Sequence, residues 1–215
     1  LRTVIYFTFF TFAKWLMKNL STRQDATKDP HLSVKMRHIS FGFIPLFAFS
    51  LTFSAFDWLM SLDFHWFSTM WGVYLFAGAV WSSMALLILI VTALKSQGHL
   101  KVVSLEHYHI MGKLLFAFTV FWAYIGFSQY FLIWYANIPE ETSFFFHRNA
   151  GSWKFYSIFL IMIGHFFIPF VLLITQWIKR KPALLVIVCL WVLLMQEADI
   201  YWLIMPLFHK EGVQV

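Results

Sequence analysis

The stretch FSAFDWLMSLDFHW places Asp57, Asp63 and His65 close together, two carboxylates and an imidazole among aromatics. At a membrane surface such groups can accept protons from a quinol and pass them to the outer water. The plainer alternative is that Asp57 hydrogen-bonds a turn while Asp63 and His65 are solvated. In LLMQEADIYWL, Glu197 and Asp199 stand two positions apart. On a helix they cannot share a face, so at least one must point inward or toward a polar partner. Tyr201 lies one turn from Glu197, and Gln196 lies on the Asp199 side. This pair is either a protonatable site in an outer-leaflet cavity or a structural carboxyl held by a neighbour.

Glu106, His109 and Lys113 follow i, i+3 and i+7, with Tyr124 and Ser128 further along the same stripe. Ala117 and Val120 interrupt it, which reads as an inner proton half-path with a dry gap. The alternative is an ion-paired helix end with Lys113 snorkelling to the interface. His165, in GHFFIP, is the one histidine near the middle of an apolar run. Pro169 cannot bond back to its carbonyl, so a kink is expected there. His165 is then a proton-relay element or hinge, or a structural histidine bonded to another helix. Haem ligation is disfavoured, because no obvious second axial ligand is named by the sequence.

These residues are conspicuous because of what surrounds them. An ionised group at the bilayer centre costs at least about 2.5–3.5 kcal/mol. The 215-residue chain is 60% hydrophobic and 12% charged, with a mean hydropathy of +0.71. Soluble domains carry about 25% charged residues, so a soluble enzyme and a disordered tail are excluded. Phe 27, Trp 11 and Tyr 8 fit a chain solvated by lipid and its interface. Runs such as FFTF, SFFF and HWF are expected to be mostly lipid-facing or interfacial. The single cysteine, Cys189, excludes a disulfide framework, a Cys-ligated zinc and an iron–sulfur cluster within this chain. No signal peptide is read, and the start inside an apolar run suggests a piece of a longer membrane protein.

The expected fold is all-α, a polytopic transmembrane helix bundle forming one integral membrane domain over 1–215. Spans need about 20 apolar residues. Six segments are expected: about 1–20, 41–60, 67–94, 107–136, 153–178 and 183–206. Period-2 alternation is absent, which argues against a β-barrel. Gly72, Gly78, Ser82 and Ser83 suit close packing of the third helix. Lys14, Lys18, Arg23, Lys28, Lys35, Arg37, Lys95, Lys101, Lys179, Arg180 and Lys181 gather on one side. Only Arg2, Arg148, Lys154 and Lys210 fall on the other. The positive-inside rule places 21–40, 95–106 and 179–182 in the cytoplasm, with 61–66 and 137–152 outside. The net charge of +6 is therefore an orientation signal rather than a nucleic-acid footprint.

Three stretches carry a resemblance: FDWLMSLDFHWFSTMWGVYLFAGA (56–79), EHYHIMGKLLFAFTVFWAYIGFSQYFLIWYANIPEE (106–141) and GHFFIPF (164–170). They resemble the NrfD-like family, also called the polysulfide reductase membrane subunits. Within it they are most similar to the ActF-type subunits of alternative complex III, a bacterial quinol:cytochrome c oxidoreductase. The resemblance implies a bacterial inner-membrane subunit of about ten helices, with about three before Leu1 and one after Val215. It implies haem c and iron–sulfur clusters on partner subunits, none bound by this chain, and an ActC-like membrane partner that oxidises quinol. Asp57 matches the aspartate of the family's outer-end motif, but Leu51 stands where the quinol-oxidising relative has histidine. That departure weakens quinol oxidation here. His109 and Lys113 match a helix-opening pattern, and Asp199 matches a family aspartate, with Glu197 a local variation.

The function expected is a membrane subunit contributing scaffold, a candidate quinone contact and candidate proton conduction, with no complete active site, metal or nucleic-acid partner of its own. The rival readings are a secondary transporter with a mid-membrane substrate site and a purely structural subunit.

Overall fold

Asp29 and Pro30 show how the sequence starts a helix even within a basic, polar stretch. The Asp29 side chain accepts from the His31 N–H at 2.9 Å, and Pro30 occupies the first turn, where its missing N–H costs nothing. The computed structural model describes residues 1–63 and 65–209. It is 86% helical, without strands among the described residues. The long helices are α1 (Arg2–Thr27), α2 (Pro30–Trp58), α3 (Trp71–Ser96) and α4 (Leu105–Ala136). There follow the short helices α5 (Pro139–Arg148) and α6 (Trp153–Tyr156), and a π-helical segment, Ser157–Phe167. The chain ends in α7 (Ile168–Ile174), α8 (Gln176–Lys179) and α9 (Pro182–Phe208).

Among the described residues, five segments are long and apolar enough to cross a membrane: Pro30–Leu62, Trp71–Ser96, Leu105–Ala136, Trp153–Ile174 and Pro182–Phe208. The expected first span is a helix, α1, but is not one of the five. Arg2, Lys14 and Lys18 dilute its apolar content. Two expected loops are corrected. Residues 21–40 are nearly all helical, broken only at Lys28 and Asp29, so their basic side chains ride on helix ends. Residues 137–152 contain α5, whose first turn carries Glu140 and Glu141 and whose last carries His147 and Arg148, as the helix dipole favours. Lys210 lies outside the described residues.

The chain divides into two compact units, residues 1–61 and 62–215. The first is the α1–α2 hairpin. Lys28 turns it in the left-handed conformation at φ 55°. Its seam is aromatic, with Phe9 against Phe43 and Phe10 against Phe47, each at 5.8 Å between ring centres.

The second unit is built on α3, α4 and α9, with the π segment and α7 packed against them. Its core holds Trp81, Ala85, Ile88, Tyr108, Leu115, Leu173, Leu185, Val188, Cys189, Val192 and Met195. Lipid is as apolar as leucine, so close approach rather than water exclusion joins such helices. The glycines show this. A Cβ on Gly78 would lie 2.8 Å from the Gln196 amide oxygen, and one on Gly164 would lie 2.7 Å from Met195 Sδ.

Candidate functional site

The buried face of α4 runs Tyr108, Gly112, Leu115, Thr119, Trp122, Ile125, Gln129 and Ile133, a three-and-four spacing. That register decides which polar residues meet. Trp122 points into the second unit, while Lys113 and Tyr124 face out, Tyr124 being 65% exposed. On α9 the same rule turns Asp199 inward at 1% exposure and leaves Glu197 exposed.

Asp199 Oδ1 accepts a hydrogen bond from Tyr74 Oη at 2.6 Å, linking α9 to α3. Asp199 Oδ2 is buried without a hydrogen-bond partner among the described residues, as is the neighbouring indole Nε1 of Trp122. Trp122 lies within electrostatic reach of both Asp199 and Tyr74, and its ring is 5.6 Å from that of Tyr74. Gly126 leaves room for the Tyr74 ring, which would lie 3.2 Å from an added Cβ.

His165 continues this cluster. Its ring stacks on Trp122 at 3.7 Å and on Trp81 at 4.2 Å, and it is 1% exposed. Among the described residues neither ring nitrogen makes a hydrogen bond, and Gln196 Oε1, within electrostatic reach of the ring, also lacks one. Gln196 and Asp199, at i and i+3, share one face of α9. The expected kink takes the form of the π segment running up to Pro169. Long π-helical turns are rare and concentrate at functional sites. Within that segment the Gly164 carbonyl accepts a hydrogen bond from the Trp191 indole N–H at 2.8 Å. The structure therefore brings Asp199 and His165 into one buried cluster with Tyr74, Trp122, Trp81 and Gln196. Sequence reading named neither the tyrosine nor the tryptophans, since only tertiary packing aligns them.

The other candidates lie elsewhere. Asp63 and His65 line an open cleft of about 430 Å³ with Glu140, Ser143 and His147 of α5. Sequence reading missed the α5 residues because it assigned them to a loop. Asp57 belongs to the α1–α2 hairpin. Its carboxylate accepts from Tyr6 Oη at 2.8 Å and pairs with Arg2 at 3.2 Å, a structural setting. His109 and Lys113 sit near the start of α4 beside Lys179 and Arg180.

Arg148 is a second residue the sequence did not signal. It is 0% exposed, yet its guanidinium meets carbonyls rather than a carboxylate: Nη1 donates to Phe144 at 2.9 Å, and Nη2 donates to Leu203 of α9. It packs over the Phe144 ring at 3.4 Å, and Phe144 in turn stacks on Trp66 at 3.9 Å. Burial pulls the Arg148 guanidinium down to about 9, and the charges of Asp63 and Tyr74 act in the opposite direction. Trp66 and Phe144, expected at the lipid face or interface, are thus core residues, both about 3% exposed.

No metal-binding group of three or more His, Cys, Asp or Glu occurs among the described residues. No protein-family model matches the chain, and no curated protein matches it.

Proposed function

We propose that this chain is an integral membrane subunit of a bacterial quinol-oxidising assembly, an ActF-type member of the NrfD-like family in alternative complex III. It contributes scaffold and a proton-conducting element, with electron carriers on partner subunits. In this reading α1, the first of the six expected spans, also crosses the membrane. The observation that carries the reading is the buried cluster of Tyr74, Asp199, Trp122, Gln196 and His165. A carboxylic acid bonded to a phenol and an imidazole with two unbonded nitrogens are groups that exchange protons. Buried polar atoms without protein partners are also where internal water binds. At membrane depth such groups are retained for function by default.

The proposed outer exit is the open cleft lined by Asp63, His65, Glu140 and His147. The inner entry is the His109 end of α4. Lys113 and Tyr124 face away from the second unit, so in this reading they meet a partner subunit or lipid headgroups rather than an internal path.

The test is to reconstitute His165→Phe and Asp199→Asn assemblies in vesicles and measure protons released per electron alongside turnover. A fall in that ratio with electron transfer retained is the expected result. An unchanged ratio in both variants would reassign the cluster to packing.

A further inference from the structure

The start of α4 and the short helix α8 form a corner whose charges do not balance. Lys113, Lys179, Arg180 and Glu106 all lie within electrostatic reach of His109. Arg180 is accounted for: it pairs with Glu106 at 3.3 Å, and the Gln176 amide, in the orientation that satisfies both groups, accepts from it at 3.1 Å. That leaves Lys113 and Lys179 as neighbouring like charges. Lys113 makes no ion pair or hydrogen bond among the described residues. Among the described residues the one hydrogen bond of the Lys179 ammonium is to the Ile174 carbonyl, at 3.5 Å, freed where α7 ends at Thr175.

Lys179 is held in this place by design of the backbone. Its stem fills the space left by Gly112, where an added Cβ would lie 2.8 Å from Lys179 Cγ. The residue is 6% exposed, and its ammonium lies 5.5 Å from the Phe116 ring. Burial first, and the Lys113 charge second, hold its ammonium below the ordinary lysine range. A third group points to the same corner: His109 Nδ1 is buried without a hydrogen-bond partner. Beside the charges the surface is apolar and uncovered, with Leu114 45%, Ile174 55% and Trp177 60% exposed.

Two uncompensated ammoniums, an unbonded imidazole nitrogen and an apolar wall below them match one kind of ligand. We infer that this corner binds an anionic phospholipid, its phosphate between Lys113 and Lys179, its remaining polar contact at His109, and its acyl chains along Leu114 and Ile174. Basic pockets between membrane helices recognise such headgroups. The assignment does not need the redox role proposed above, although it places the headgroup at the His109 end named there as the inner entry; it rests on charge and burial at α4, α7 and α8.

The experiment uses the protein extracted in mild detergent with whatever subunits accompany it. Phosphatidylglycerol, phosphatidylcholine with the same acyl chains, and inorganic phosphate are titrated in turn, and bound ligand is read by native mass spectrometry. Phosphatidylglycerol should bind in preference to phosphatidylcholine. Lys113→Gln, on the exposed face and harmless to packing, should weaken it roughly fivefold, and Lys179→Gln by a similar factor. Lys113→Arg should restore it. Equal binding of phosphatidylcholine, or unchanged phosphatidylglycerol binding by Lys113→Gln, overturns the site. Inorganic phosphate binding as tightly as the lipid overturns the lipid assignment in favour of a free anion.

Discussion

Arg148 shows how much one buried cation can organise. Its bond to the Leu203 carbonyl ties α5 to α9, its bond to the Phe144 carbonyl stays within α5, and its own carbonyl accepts from Ser157 Oγ at 2.7 Å, which brings in the start of the π segment. Ser157 in turn accepts from the Trp202 indole at 2.7 Å. Truncation to alanine would strand the Leu203 carbonyl and remove the stacking partner of Phe144. Each buried polar group left unpaired costs about 1–3 kcal/mol. Arg148→Ala is therefore expected to destabilise the second unit by about 3 kcal/mol or more. Residues 139–148 should lose hydrogen-exchange protection before α3 and α4 do. Lysine cannot form the same fork, so Arg148→Lys should recover little of the loss. Uniform loss of protection along the chain would show that Arg148 does not specifically hold α5.

Among the helices, α9 carries the clearest link between register and chemistry. Its buried positions, Leu185, Val188, Cys189, Val192, Met195, Asp199 and Leu203, follow helical spacing and leave Glu197 outside. The two carboxylates of QEAD could be assigned opposite faces from sequence, but which one was inward needed the neighbours Tyr74 and Trp122. The proline near His165 was legible as a disturbance. Its expression as a π segment was not, because the extra turn depends on what packs against it. For α2 the hairpin setting of Asp57 argues for structure over turnover. Asp57→Asn keeps an acceptor for Tyr6 and gives up only the ion pair with the exposed Arg2, a contact worth about 0–1 kcal/mol. Stability should change by no more than about that amount, and if the chain belongs to the proposed assembly, quinol oxidation should fall only modestly. Abolished oxidation in a well-assembled Asp57→Asn complex would place the primary quinol site in this chain.

For the molecule as a whole, three of the five candidate spans separate Ser33 from Ser143, so cysteines at these positions should be labelled from opposite sides of the membrane. The lysine and arginine bias predicts that Ser33 is the one on the cytoplasmic side. Labelling of both from one side would refute the orientation and the span assignment together. The apolar runs, their lengths and the basic asymmetry were readable without coordinates, because a bilayer demands long helices and sorts charge between its faces. The helical class and the positions of α3, α4 and α9 follow from that demand. The face each helix buries does not, since nearly every side is apolar and hydrophobic periodicity loses its meaning in lipid. Only packing, set by small residues such as Gly78, Gly112 and Gly164, decided that Asp199 joins Tyr74, that His165 lies between tryptophans, and that Lys113 and Tyr124 look outward.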